Sequence, residues 1–193
     1  DARLRGAINS FVLTPAGEVW VGRTGGLEIR RAADGALLGL ERHDPERAQS
    51  LAGNEVRALL RDRAGWLWVG GYGGGLQRHN PGNRSLQVLG RERFARLGSD
   101  LNVRSVAQLA SGEVWLGTNE SGVYILDAQL RPRDAIRPQA EGGVLPPGRV
   151  SSIAQAADGT VWLGHDAGLH QIDARHRVLR VLRAGPGRAR RLL

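Results

Sequence analysis

The sequence contains no cysteine, no methionine and no lysine. Without cysteine there is no disulfide framework and no thiolate metal site. That absence fits a cytosolic and a periplasmic protein equally well. Without methionine the chain lacks its own initiating residue, and no charged segment leads into an apolar one after Asp1. The expectation is an excised or processed piece. No apolar run approaches the roughly 18 to 20 residues that span a bilayer, so no membrane segment is expected in this piece. Aromatic residues other than tryptophan are few, with two Tyr and two Phe beside five Trp. The net charge of +8 is carried by arginine, scattered along the chain and clustered only at Arg188, Arg190 and Arg191. A nucleic-acid binder should show a basic stripe interleaved with stacking aromatics, so no nucleic-acid partner is expected.

What the chain has in quantity is glycine, 28 residues among 193, and a short phrase written four times. The phrase reads Gly17-Glu18-Val19-Trp20-Val21-Gly22, Gly65-Trp66-Leu67-Trp68-Val69-Gly70, Gly112-Glu113-Val114-Trp115-Leu116-Gly117 and Gly159-Thr160-Val161-Trp162-Leu163-Gly164. The tryptophans Trp20, Trp68, Trp115 and Trp162 stand 48, 47 and 47 residues apart, and only Trp66 is out of register. A repeat of that length signals a radial or stacked architecture. Glycine every few residues excludes the long amphipathic helices of helical repeats.

Each repeat divides into four short strands. An alternating segment opens it, as in Ala7 to Leu13, Val56 to Leu60, Val103 to Ala107 and Val150 to Ala154. A tight turn follows, ending in Gly17, Gly65, Gly112 or Gly159, where glycine supplies positive φ. The tryptophan phrase is apolar on consecutive residues, the pattern of a strand covered on both faces. A third strand opens on Gly26, Gly75, Gly122 or Gly168. The fourth is expected at Ala36 to Leu40, Ser85 to Leu89, near Arg133, and at Arg177 to Leu182. Four antiparallel strands per unit of about 47 residues describe an all-β fold, a β-propeller built of four-stranded blades. The blades are expected at 7–49, 54–97, 102–140 and 149–183, with a basic tail at 184–193. The linkers run over 41–53, 90–102 and 137–149, and 91–97 is expected to form a helical turn.

Asp158-Gly159-Thr160-Val161-Trp162-Leu163-Gly164, Trp115-Leu116-Gly117-Thr118 and Gly74-Gly75-Leu76 carry a resemblance to a known repeat. The chain resembles the two-component regulator propeller family, whose repeat runs through aspartate, glycine, Trp-Ile-Gly-Thr and Gly-Gly-Leu. It departs at Arg23-Thr24 in the first unit and at His165 in the fourth. No blade ends in Trp-Asp, as WD repeats do, and the kelch order of glycines and aromatics is absent. The resemblance implies an extracytoplasmic, periplasmic or extracellular input module of a bacterial membrane sensor. It also implies a larger propeller than four blades, and an output elsewhere in the parent, commonly a kinase or a diguanylate cyclase. Fold does not itself fix function.

In such a propeller the loops between strands two and three share a face with the loops entering strand one. That face would gather Arg23, Thr24, Tyr72, Asn119, Glu120, His165 and Asp166 with Asn54, Glu55, Asn102, Arg104 and Arg149. Arginine, amide and carboxylate groups with one tyrosine suit an acidic or hydroxyl-rich small molecule, such as a saccharide. Trp20, Trp68, Trp115 and Trp162 are expected in the core, filling space between blades. Trp66, which replaces a polar residue, is a candidate partner contact.

No catalytic residue and no cofactor is expected. The chain has no G-x-S-x-G elbow and no H-E-x-x-H. Gly70 to Gly75 lacks the lysine and the helix of a phosphate loop. His43, His79, His165, His170 and His176 lack metal-ligand spacing, so no metal is expected. Two other readings stay open. One is a lyase of the streptogramin-inactivating type, in which His165 would work with Glu120 or Asp166. The other is a scaffold for other proteins. Bare faces on the first and last blades would also allow self-association through blade edges.

Overall fold

The computed structural model describes residues 7–47, 49–80, 85–89, 94 and 102–183. It contains four antiparallel four-stranded sheets, each in simple sequence order, the blades of a β-propeller. The first is β1 (Ile8–Leu13), β2 (Glu18–Arg23), β3 (Gly26–Arg31) and β4 (Leu37–Glu41). The second is β5 (Glu55–Arg61), β6 (Leu67–Tyr72), β7 (Gly75–Asn80) and β8 (Ser85–Leu89). The third is β9 (Val103–Gln108), β10 (Val114–Thr118), β11 (Val123–Leu126) and β12 (Pro132–Ile136). The fourth is β13 (Val150–Gln155), β14 (Val161–His165), β15 (Gly168–Ile172) and β16 (Val178–Leu182). The helical turn expected at 91–97 lies outside the described residues except for Phe94, which is buried with its ring 6.0 Å from that of Tyr124. The expected tail at 184–193 also lies outside them.

The turn glycines behave as the sequence requires. Gly17, Gly65, Gly112 and Gly159 all have positive φ, between 75° and 89°. Each closes the hairpin between the first two strands of its sheet, as in the bond from Gly65 N to the Asp62 carbonyl at 3.0 Å. A side chain at such a φ strains the backbone, and glycine removes that strain.

The chain forms two compact units. Residues 1–91 with 101–103 make the first, and 92–100 with 104–193 make the second. In the first unit Trp20, Leu27, Leu51, Val56, Leu67 and Val69 form a buried cluster between the first and second sheets. In the second unit Leu109, Trp115, Val123, Ile125, Ile136, Leu145, Val150, Val161, Leu163 and Ile172 do the same for the third and fourth. Leu51 and Leu145 come from linkers, and each stands five residues ahead of the leading valine of the next sheet, Val56 or Val150.

Two places after the tryptophan, Gly22 and Gly117 stand where one sheet meets the next within each unit. A Cβ on Gly22 would sit 2.6 Å from Val56 Cγ1, and one on Gly117 would sit 2.7 Å from the Val150 carbonyl oxygen. Only a residue without a side chain lets the neighbouring strand come so close. Polar bonds reinforce the same junctions. Asn9 Nδ2 donates to the Val56 carbonyl at 2.9 Å, and Ser105 Oγ donates to the Val150 carbonyl at 3.1 Å. Asn9 stands at a bulge in the β1–β2 pairing, and the same shift recurs at Val56/Ala58 and Val150/Ser152. Such a bulge re-aims a side chain off the regular alternation.

Three of the register tryptophans, Trp20, Trp68 and Trp115, are buried, and Trp162 is half-buried. Carboxylates accept the indole N–H groups of the buried three. Trp20 Nε1 donates to Glu18 at 2.9 Å, Trp68 Nε1 to Asp62 at 2.9 Å, and Trp115 Nε1 to Glu113 at 3.4 Å. A buried indole leaves no donor unmatched in this arrangement.

Candidate functional site

The register Ile8↔Arg23, Glu55↔Tyr72 and Val150↔His165 puts the end of each second strand beside the start of its first strand. The polar residues named from the sequence therefore sit at one end of their own sheets. Their side chains do different things there.

In the first unit Arg23 turns into its sheet, with Nε 3.3 Å from Glu28 Oε1. Tyr72 is 52% exposed at the end of β6. The entering loop is braced by backbone and side-chain bonds: Gly25 N donates to the Asn54 carbonyl at 2.9 Å, and Asn54 Oδ1 accepts from His43 N at 2.7 Å. Glu55 pairs closely with Arg57.

In the second unit two groups form. Arg104 Nη1 donates to Asn119 Oδ1 at 3.4 Å, and Asn119 Nδ2 donates to Glu120 Oε1 at 3.4 Å. Beside β14, Arg149 Nε donates to Asp166 Oδ2 at 2.9 Å while Asp166 N donates to the Arg149 carbonyl at 3.1 Å. Burial alone would raise the Asp166 carboxyl. The hydrogen bonds and charge of Arg149 outweigh it and hold that carboxyl below its ordinary value. The hydrogen bond from Arg149 to Asp166, with the carboxylate charge, raises the guanidinium in turn. The pair is partly exposed, so its contribution is positional more than energetic.

His165 is buried and faces His170, with ring centroids 5.2 Å apart and the planes near perpendicular. Its Nδ1 accepts from Ala167 N at 3.0 Å, which leaves the neutral ring with its proton on Nε2. That Nε2 and the Nδ1 of His170 are buried without a hydrogen-bond partner of proper geometry. Burial, and then the neighbouring His170, push the His165 imidazole below its ordinary value; Asp166 and the backbone of Gly148 and Pro146 oppose this only in part. Burial lowers His170 as well. Both rings are therefore neutral near pH 7.

This pairing exposes a position that the sequence reading passed over. Counted from the tryptophan, Arg23 and His165 are equivalent, and counted from the strand-opening glycine, so are Glu28, Gln77, Tyr124 and His170 on the third strand. All four third-strand residues are buried. Glu28 is held by Arg23 and by Arg30, the latter at 2.7 Å. Gln77 accepts from Ala52 N at 2.8 Å and donates to the Ser50 carbonyl at 3.1 Å. The signal is legible: a residue with a polar group two places after the strand-opening glycine in every repeat, preceded each time by an aliphatic one.

Trp66 is half-buried, and the Arg78 guanidinium lies 3.9 Å above its ring centroid. It contributes to a cleft of about 980 Å³ in the first unit, together with Glu18, Trp20, Arg61 and His79. Among the described residues, no group of three or more His, Cys, Asp or Glu is placed to hold a metal ion. No helix of the described residues is long and apolar enough to cross a membrane.

Comparison with known proteins adds the following. Residues 50–73 and 144–167 match the family model described as "Two component regulator propeller". Among solved structures, the chain is similar to the extracellular domain of BT3049 of B. thetaiotaomicron, a protein assigned to the hybrid two-component systems. The TM-score is 0.75 at 19% identity, over 92% of this chain and 24% of that one. It is similar also to the extracellular domain of BT4673 from the same organism, likewise assigned, with a TM-score of 0.74 at 17% identity over 100% of this chain and 24% of that one. Hydrazine synthase of Kuenenia stuttgartiensis matches with a TM-score of 0.64 at 9% identity, over 95% of this chain and 52% of that one. At such identities the likeness concerns the fold alone. The chain spans 24% of the length of the two Bacteroides domains. No curated protein matches the sequence.

Proposed function

We propose that this chain, whose residues 50–73 and 144–167 match the two component regulator propeller model, is a non-catalytic sensing module on the periplasmic or extracellular side of a bacterial signalling receptor. The observation that carries the ligand-binding part is the polar end of the second unit. There Arg149 and Asp166 form one braced pair, and Arg104, Asn119 and Glu120 form another hydrogen-bonded group. Fixed guanidinium and carboxylate groups beside an amide recognise hydroxyls and carboxylates with little ordering cost on binding. The ligand class is an acidic or hydroxyl-rich small molecule, with uronic-acid oligosaccharides as the leading members. Tyr72 and Arg23 of the first unit are further candidates, the first through its exposed ring and the second through its hold on Glu28.

The lyase reading is disfavoured by two contacts. His165 Nδ1 is occupied by the Ala167 N–H, and Asp166 is held by Arg149. Neither group is placed to move a proton to or from a solvent-borne substrate.

Calorimetric titration of this chain with uronic-acid oligosaccharides tests the proposal. Binding that weakens about tenfold or more in Arg149→Ala, with the melting curve preserved, supports it. Absence of heat at millimolar ligand, or binding indifferent to Arg149→Ala and Arg104→Ala together, refutes it.

A further inference from the structure

The two units differ at one junction, and the repeat lets them be compared residue by residue. In the second unit a bond crosses between the sheets at the end that carries the first turns. Ala110 N donates to Gln155 Oε1 at 2.6 Å, and Gln155 Nε2 donates to the Gly159 carbonyl at 3.2 Å. Another link joins His176 Nδ1 and Asp134 Oδ2 at 2.7 Å, with the His176 ring edge-on to Trp115 at 5.3 Å.

Counted from the turn glycines Gly17 and Gly65, the first unit has Pro15 in the place of Ala110 and Arg61 in the place of Gln155. Proline has no N–H to donate, and a guanidinium has no atom that accepts. The ladder partner of Ile125 is Asp134, whereas that of the equivalent Ile29 is Gly39, which has no side chain. Neither link can form with these residues. Pro15, Gly39 and Arg61 all line the cleft of about 980 Å³ between the first and second sheets. That volume lies at the upper end of the range of small-molecule sites, roughly 300 to 1,000 Å³. Pro15, Arg61 and Trp66 stand at the turn end of these sheets, opposite the end that carries Arg23 and Tyr72.

The lining sets the chemistry of an occupant. Trp20, Leu27, Leu51 and Leu67 are buried and give the cleft an apolar floor. Trp66 is held by Arg78, 3.9 Å above its ring. The nearest atom to a Cβ on Gly65 is Arg61 Nη2 at 3.6 Å, so that guanidinium lies against the turn that bears Trp66. Arg47 and Arg61 are exposed, and neither has a side-chain partner among the described residues. Of the two carboxylates in the lining, Glu18 accepts the Trp20 indole N–H. Glu41 pairs with Leu27 on the ladder, at the far end of the cleft from Arg61.

We propose that this cleft is a second binding site, separate from the polar end of the sheets, and that it takes an aromatic carboxylate. The ring lies on the apolar floor beside Trp66, and the carboxylate accepts from Arg61, with Arg47 as the second cation. A planar guanidinium matches a carboxylate in two parallel bonds, and an apolar floor excludes the water that would compete for them.

Nuclear magnetic resonance of the ¹⁵N-labelled chain, read at the tryptophan indole N–H signals, tests this with 2-naphthoate as the probe. Naphthalene-2-methanol is the neutral counterpart of the same shape. Naphthoate should move the Trp66 and Trp20 signals with a dissociation constant below about 1 mM, and the alcohol should bind at least about tenfold more weakly. Arg61→Gln should weaken naphthoate at least about tenfold and keep the parent melting curve, because Arg61 is exposed and without a partner. Arg61→Gln with Pro15→Ala installs the residue types that cross the second unit, and it should abolish naphthoate binding while the indole signals of the free chain keep their dispersion. Signals of Trp66 and Trp20 that stay in place at several millimolar naphthoate overturn the proposal. So does equal binding of the alcohol, or naphthoate binding undiminished in the double variant.

Discussion

Asp62 is the carboxylate on which the second sheet's tryptophan turn depends. It is 7% exposed. Its Oδ1 accepts from Trp66 N at 2.9 Å and its Oδ2 from Trp68 Nε1 at 2.9 Å. The Arg78 guanidinium lies over the Trp66 ring and 5.7 Å from the Trp68 centroid. Burial lowers Arg78 from its ordinary value, and the charge of Asp62 works against that. Asp62→Asn keeps the shape and removes one acceptor. The amide oxygen serves one donor, and the amide N–H₂ then faces the other. One charge-assisted bond is lost, and the indole N–H of Trp68, which is 1% exposed, has no water to turn to. A hydrogen bond to a charged group contributes about 1.5 to 3 kcal/mol, so the loss should be about 2 to 3 kcal/mol. For a chain of this size that is about 4 to 12 °C in melting temperature. Urea unfolding followed by circular dichroism at pH 7 measures it, with an unchanged m value showing that the compactness of the end states is the same. The Trp68→Phe background separates the bond from the rest. There Asp62→Asn should cost at least about 1 kcal/mol less than in the parent, the sign of direct coupling. A loss below about 0.5 kcal/mol, or a strictly additive cycle, would refute the role given to Asp62.

Three further outcomes follow from the geometry. His165 and His170 are held below their ordinary imidazole value, so the folded chain resists their protonation. Stability should be level above the unfolded value of about 6.5 and fall as pH drops below it, and His165→Asn with His170→Asn should flatten that fall between about pH 6.5 and 5 in the urea midpoint. Gly117→Ala should destabilise by about 2 kcal/mol or more, because its methyl group meets the Val150 carbonyl and Ser105 Oγ; a melting curve within 1 °C of the parent would remove the reason given for that glycine. Leu145→Ala should cost about 2 to 5 kcal/mol although it lies in a linker, since it is 0% exposed within the second unit's core; a loss no larger than that of an exposed loop residue would mean that the linker does not hold the sheets together.

The strands were legible because two periods coincide in this chain, a repeat of about 47 residues and the doubly apolar tryptophan strand within it. Even the ill-defined fourth strand near Arg133 is present, as Pro132–Ile136. Repetition concealed other features. Leu51 and Leu145 read as loop residues because their neighbours are polar, yet a linker that crosses between sheets has one point where it can fill the core. The sequence places Arg23 and His165 on the candidate ligand-binding face. Both turn inward because the third strand offers each a buried partner, Glu28 or His170. A polar residue at a strand end has no spacing signal for that choice; it depends on what stands across the ladder. Arg104, Asn119, Arg149 and Asp166 do gather by twos and threes, as loops held at the ends of paired strands must.

The third-strand position has a bearing on how the chain reaches its structure. Four sheets of nearly the same pattern are four near-equivalent solutions for any strand looking for a neighbour, and repeat proteins misassemble along such ambiguities. Glu28, Gln77, Tyr124 and His170 differ in charge, size and donor count. A third strand docked in the wrong sheet would leave Glu28 without Arg23, or Gln77 without Ser50 and Ala52, in each case with water already excluded. Each blade thus carries its own address, written in a buried residue of its third strand.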